Sequence, residues 1–242
     1  MASSTLVPQY LPLGEQVLII QFEPVISTLV NRRVHAWADK IKEANILGVK
    51  QWLPAFSSLS VCYDPVRISY SQLLNALQQI HLSDADLASS TGRMVHIPVV
   101  YGDSYGPDLD YVAAENNISP DEVVQIHSSS AYLIYMLGFI ASFPYCGDLD
   151  SRLALPRRTS PRVKVEKGSI GIANRQTCIY PITSPGGWHL IGRTPMDTFD
   201  PYKTPPSCFT AGDSIKFEAI TSAEAEGWNE HKQREWNEQW NL

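Results

Sequence analysis

The apolar positions change their period several times along the chain, and each change predicts an element. QVLIIQF (Gln16–Phe22) is a short β-branched run and predicts a strand. From Val25 to about Ala44 the period becomes helical: Ile26, Leu29, Val30, Val34, Trp37 and Ile41 share one face, with charges between them. Asn45 and Gly48 are stop signals. KQWLPAF and LSVCYD then predict two strands joined by a tight turn around Ser57-Ser58. Ser69 is placed to cap a second helix, SYSQLLNALQQI, whose apolar face is Leu73, Leu74, Leu77 and Ile80. The order β-α-β-β-α, with a further strand near MVHIPVVY, predicts a ferredoxin-like split βαβ unit. The stretch from Ser83 to Arg93 is rich in Ser, Asp and Ala and reads as a linker.

The second half opens with the strand Met94–Tyr101, followed by two short helices. GPDLDYVAAENN has proline and acids in its first turn. In SPDEVVQIH, Ser119 and Glu122 fit a capping box around Pro120. Beyond His127 the pattern is almost entirely β: AYLIYMLGF, VKVEKGSIGIA, TCIYPIT, WHLIGRTP and DSIKFEAI are short runs divided by Gly and Pro, as in a closed or sandwiched sheet. After Ile220 large aliphatic residues are absent up to the final Leu242, but Trp228, Trp236 and Trp240 would fall on one side of a helix. That tail reads as a helix docked on its own domain, with a partner-docking helix or a disordered tail as the alternatives. The expected organisation is α+β: a ferredoxin-like domain over 1–88, a β-barrel domain over 89–221 and a tail over 222–242.

Composition narrows the classes of function. A net charge of −6 opposes general nucleic-acid binding and docking on anionic lipid. No run of about 18 apolar residues predicts a membrane span, and the first residues lack the basic region of a signal peptide, so a cytoplasmic location is expected. The four cysteines, 62, 146, 178 and 208, form no CxxC pair, and the histidines show no ligand spacing, so no metal site is expected. Walker A, GxSxG and HExxH motifs do not occur.

The most cationic stretch is LPRRTSPRVKVEKG, where Arg157, Arg158, Arg162, Lys164 and Lys167 stand against the single acid Glu166. Guanidinium forks suit carboxylate and phosphate, and Pro156 and Pro161 stiffen the segment. A solvated basic edge would show the same spacing. His127 ends a helical turn, a place common for core or capping histidines as well as catalytic ones. Gln176, Cys178 and Tyr180 share one strand face, suited to a pocket wall or to solvent. In SPGGWHLIGRTP, Gly186-Gly187 reads as a turn at a pocket rim with positive φ available, Trp188 as core and Arg193 as a residue able to reach an anion.

The segments IPVVYGDSYGPDLDYVA, EVVQIHSSSAYLIYMLGF, the run from FPYCGDL through SPGGWHLIGRTP, and TFDP (Thr198–Pro201) resemble the B component of bacterial 5-oxoprolinase, also called allophanate hydrolase subunit 1, a family that includes the kinase inhibitor KipI. The likeness is specific from about Ile97 to Ile220 and looser before it. It implies a ferredoxin-like domain and a cyclophilin-like barrel. It also implies a non-autonomous component that works in a hetero-oligomer with a KipA-like C component and with a LamB/YcsF-like A component. Together they would use ATP, with Mg accompanying it, to open 5-oxoproline to glutamate. On that likeness Arg157, Arg158 and Arg162 become candidates for substrate carboxylate and phosphate, together with Tyr180, Gly186, Gly187 and Arg193, while His127, Arg158 and Gln176 become the catalytic candidates. Alternatives within the resemblance are a KipI-like inhibitor of a histidine kinase and carboxyl-transfer or allophanate-type amide chemistry. Prolyl isomerase activity would rest on fold alone. The chain departs from the family pattern at Ile140-Ala141-Ser142, where a Pro-Gly pair is usual before FPYLGGL, in FPYCGDL itself, and at Gln176-Thr177-Cys178, where Gln-Thr-Gly is usual.

Overall fold

The computed structural model describes residues 8–89 and 92–240. The chain divides into two compact units, Met1–Thr91 and Gly92–Leu242.

In the first unit the elements run β1 (Gln9–Leu13), β2 (Val17–Gln21), α1 (Thr28–Ala44), β3 (Val49–Pro54), β4 (Ser58–Tyr63), α2 (Tyr70–Gln78) and α3 (Asp84–Ser89). The sheet order is β1-β2-β4-β3, antiparallel throughout. Alternation along β2 and β4 puts Leu18, Ile20, Leu59 and Val61 on the face that meets Val34, Trp37, Ile41, Leu73 and Leu77 of the helices. The Ser69 cap forms as a full capping box with Gln72. Two expectations need correction. The outer strand of this sheet is β1, ahead of the first helix, whereas Met94–Tyr101 lies in the second unit. The stretch read as a linker carries α3. Ser83 and Asp86 cap it reciprocally, and Asp86 meets Lys40 of α1 at 2.9 Å. Such a short helix is set by its cap and has no apolar period to display.

In the second unit the chain continues as β5 (Met94–Tyr101), α4 (Leu109–Glu115), α5 (Pro120–Ser129), β6 (Ala131–Leu137), β7 (Pro144–Cys146), β8 (Arg162–Val165), β9 (Ser169–Ala173), β10 (Gln176–Ile179), β11 (Ser184–Gly186), β12 (His189–Arg193), β13 (Ser214–Ala219), α6 (Ser222–Glu226) and α7 (Glu230–Trp240). Seven strands close a barrel in the order β10-β7-β6-β13-β5-β12-β9, while β8 and β11 pair separately. All seven supply side chains to one cluster, including Ile97, Ile134, Cys146, Ile172, Ile179, Ile191 and Phe217, so that cluster is the barrel interior. A smaller cluster of Phe143, Val165, Cys178, Tyr180, Trp188 and Leu190 comes from the alternate positions and covers the outer face of β10 and β12. The tryptophan tail packs on this unit. Trp236 donates its indole N–H to the His96 carbonyl at 2.8 Å, and Trp240 stacks on the His96 ring.

Two positions where the family pattern has glycine, Ser142 and Asp148, hold left-handed backbone, with φ of 63° and 64°. The departure at Ser142 therefore keeps the glycine-like conformation instead of abandoning it. Its hydroxyl is anchored to the Ser207 hydroxyl, a bond that offsets part of the strain.

Candidate functional site

The arginine segment forms one wall of a cleft of about 420 Å³, lined by Tyr111 and Glu115 of α4, by residues Leu155 to Ser160, and by His189 at the start of β12. Strand pairing fixes this wall. Arg162 lies opposite Gly186 in the β8–β11 pair, and the Arg158 N–H donates to the Gly187 carbonyl at 2.8 Å. Leu155 bridges to Asn174 at the other end.

Asp108, at the entry to α4, organises the charges. It is 5 % exposed. Its Oδ1 accepts from Arg158 Nη1 at 3.2 Å and from Arg162 Nη2 at 2.7 Å, and its Oδ2 accepts from the Leu190 N–H at 2.7 Å. One buried carboxylate thus ties both guanidinium groups to the barrel, and the pair keeps one surplus positive charge. Arg158 Nε and Arg162 Nη1 are buried and still lack an acceptor. Arg157 is the exposed arginine of the three, and its guanidinium lies over the Trp188 indole, 5.7 Å from the ring centre.

His189 adds a group that the sequence patterns did not single out. It is 4 % exposed, and its ring stacks on Tyr111 with centroids 5.3 Å apart. Nε2 lies 2.9 Å from the Pro156 carbonyl, while Nδ1 is buried without a partner. A histidine opening a buried strand directly after a core tryptophan was the available signal. Its meaning depends on Pro156, 33 residues away.

The other candidates are placed elsewhere. His127 lies in the barrel interior, fully buried, with Nδ1 2.8 Å from the Tyr101 hydroxyl and Nε2 2.9 Å from the Thr177 hydroxyl. Its ring also stacks on Phe217 at 4.6 Å. Burial pushes its pKa down to about 3. Gln176 sits on the outer side of β10 with its Nε2 buried and unpaired. Cys178 and Tyr180 share that face, but both are buried in the outer cluster, and burial pushes the thiol and phenol pKa up. The alternation expected for 176, 178 and 180 is present, and for Cys178 and Tyr180 the face is core.

Gly186-Gly187 is not the positive-φ turn expected. Gly186 is a strand residue of β11, and neither glycine has a positive φ. A Cβ at Gly186 would collide with the Tyr180 phenol, so close approach of that ring requires glycine there. Gly187 has room for a Cβ beside Pro161. Arg193 lies over the Tyr105 ring at 4.7 Å and is not in the cleft wall. The cleft therefore gathers Arg157, Arg158 and His189 around donors and one open acceptor, a set suited to holding a small anion.

Residues 8–209 match the family model described as carboxyltransferase domain, subdomain C and D. The chain is 40 % identical over 229 residues to the B component of 5-oxoprolinase from Bacillus subtilis, covering 90 % of this chain and 95 % of that protein. It is 35 % identical over 207 residues to the B component of 5-oxoprolinase from Escherichia coli O157:H7, covering 85 % of this chain and 93 % of that one. Among solved structures, TTHA0988 superposes with a TM-score of 0.77 at 33 % identity over 86 % of this chain, which corresponds to 40 % of that longer chain. A urea amidolyase from K. lactis has the same fold, with a TM-score of 0.72 at 20 % identity over 93 % of this chain and 16 % of its own.

Proposed function

Because the chain belongs to the family of 5-oxoprolinase B components, we propose that it supplies that component to an ATP-dependent enzyme that opens 5-oxoproline to L-glutamate, together with a KipA-like and a LamB/YcsF-like protein. The observation that carries this beyond family membership is the cleft at Arg157 and Arg158, a cationic pocket in an acidic protein. The TTHA0988 and urea amidolyase matches cover only part of longer chains, which supports a unit that works beside other domains.

The lactam carbonyl is a poor electrophile. A phosphoryl group from ATP on the lactam oxygen would make its carbon electrophilic, so that one water could break the C–N bond and a second could release the phosphate, leaving glutamate and ADP. Donors around the oxygens favour such a step. Arg157, Arg158 and the Thr159 and Ser160 hydroxyls suit a carboxylate or a phosphoryl oxygen. Among the described residues of the wall Glu115 is the single carboxylate, and alone it makes a poor magnesium site. We therefore assign ATP and Mg to the complex with the partner proteins. Arg162 acts through Asp108 by fixing the segment, and Gln176 and His127 support the barrel behind it.

The first unit is read as ferredoxin-like with its edge strand moved to the N-terminus, since β1-β2-β4-β3 with two packed helices keeps the antiparallel order. The barrel is read as cyclophilin-like. Among the described residues no helix is long and apolar enough to cross a membrane.

The carboxyltransferase family model favours a second reading, carboxyl-transfer or allophanate-type amide chemistry. Co-purification with the KipA-like and LamB/YcsF-like proteins, followed by an ATPase assay, separates the readings. A stable complex whose ATPase is stimulated by 5-oxoproline is expected. Stimulation by urea or allophanate alone would select the second reading. Failure to form the complex, with inhibition of a histidine kinase, would overturn both.

A further inference from the structure

His189 gives the cleft a polarity that the arginines alone do not. The Pro156 carbonyl can only accept a hydrogen bond, so His189 Nε2 carries the proton and donates. In the neutral ring Nδ1 then has a bare lone pair, and it is buried with no donor to meet it. A buried acceptor left open is costly unless a ligand completes it. Around the same cleft stand cationic donors: the Arg157 guanidinium and the Arg158 Nε that still lacks an acceptor. The cleft lining therefore combines one open acceptor with cationic donors, a set that fits a small molecule carrying both an N–H and an anionic group.

We infer that His189 Nδ1 accepts the ring N–H of a small cyclic amide while Arg157 and Arg158 Nε hold its carboxylate. This rests on the reading of the chain as a 5-oxoprolinase component. It makes this cleft the place that orients the lactam, and makes His189 the residue that selects an unsubstituted amide nitrogen. Tyr111, stacked on the imidazole, holds the ring plane. Glu115, on the same helix, also lines the cleft.

Two substitutions separate this role from a merely structural one. His189→Gln can keep a donor on the Pro156 carbonyl but loses the acceptor at the Nδ1 position. His189→Asn can place an oxygen near the Nδ1 position but cannot reach Pro156. ATP-dependent glutamate release is measured in the complete three-protein mixture, with N-methyl-5-oxoproline as a competing probe. His189→Gln should raise KM for 5-oxoproline roughly tenfold to a hundredfold, the value of one buried hydrogen bond, and His189→Asn should stay closer to wild type. The wild type should bind the N-methyl probe about tenfold more weakly than 5-oxoproline, and His189→Gln should treat the two alike. A normal KM for His189→Gln beside an impaired His189→Asn would show that the ring only clamps Pro156, and would overturn the inference. Should both variants fail to fold, Arg157→Gln at its exposed position decides: a raised KM supports the site and an unchanged KM overturns it. Absence of glutamate release from the wild-type mixture would instead contradict the functional reading, and this assignment with it.

Discussion

Asp108→Ala is expected to destabilise the second unit by about 3 kcal/mol, the low end of the cost of breaking a buried ion pair. The substitution strands two guanidinium groups and the Leu190 N–H together. The low end applies because Arg158 and Arg162 are 32 % and 24 % exposed and retain some hydration. Asp108→Asn keeps an acceptor and should cost less. Urea unfolding measures the difference, and amide exchange should show residues 155–162 opening first in the alanine variant. A loss under about 1 kcal/mol would mean that the carboxylate does not organise the segment.

The second large effect is a loss of stability in acid that traces to His127. Its folded pKa, about 3, lies below the ordinary value of 6.5. Between those values the unfolded chain binds a proton that the folded barrel refuses. The stabilising contribution is therefore complete above about pH 6.5 and falls as pH drops towards 3, with a slope of up to about 1.4 kcal/mol per pH unit. Titrating carboxylates add their own acid dependence, so the comparison must be with His127→Gln, which removes this ionisation and can still bond the Tyr101 or Thr177 hydroxyl. Unfolding free energies from pH 8 to pH 4 should fall less steeply in that variant. Parallel curves would contradict the assignment of His127 as a buried neutral strut.

Elements defined by local rules were legible in the sequence. Met94–Tyr101 forms over the residues its apolar run predicted, Ser69 caps its helix, and the Ser119–Glu122 capping box forms as its spacing implied. Two short strands were not. β1 is an exposed edge strand containing Pro12, and β7 has three residues, too few to show alternation. The site followed the same division. The charge of the arginine segment could be read directly, but its counter-ion is 50 and 54 residues away at Asp108, so the sequence showed three arginines alike where the fold leaves one exposed and two tied together. His127 was equally ambiguous by pattern, because a helix-end histidine looks the same whether it meets a cleft or the inside of a barrel. The tautomer of His189 needed Pro156, and the glycine at 186 needed the Tyr180 ring.

Glutamate release in an omit-one reconstitution tests the central claim most directly. The KipA-like and LamB/YcsF-like proteins are mixed with ATP, magnesium and 5-oxoproline, with and without this chain. ATP-dependent glutamate should appear only in the complete mixture. Equal release without this chain, or none in its presence from a complex that forms, would contradict its role as the B component.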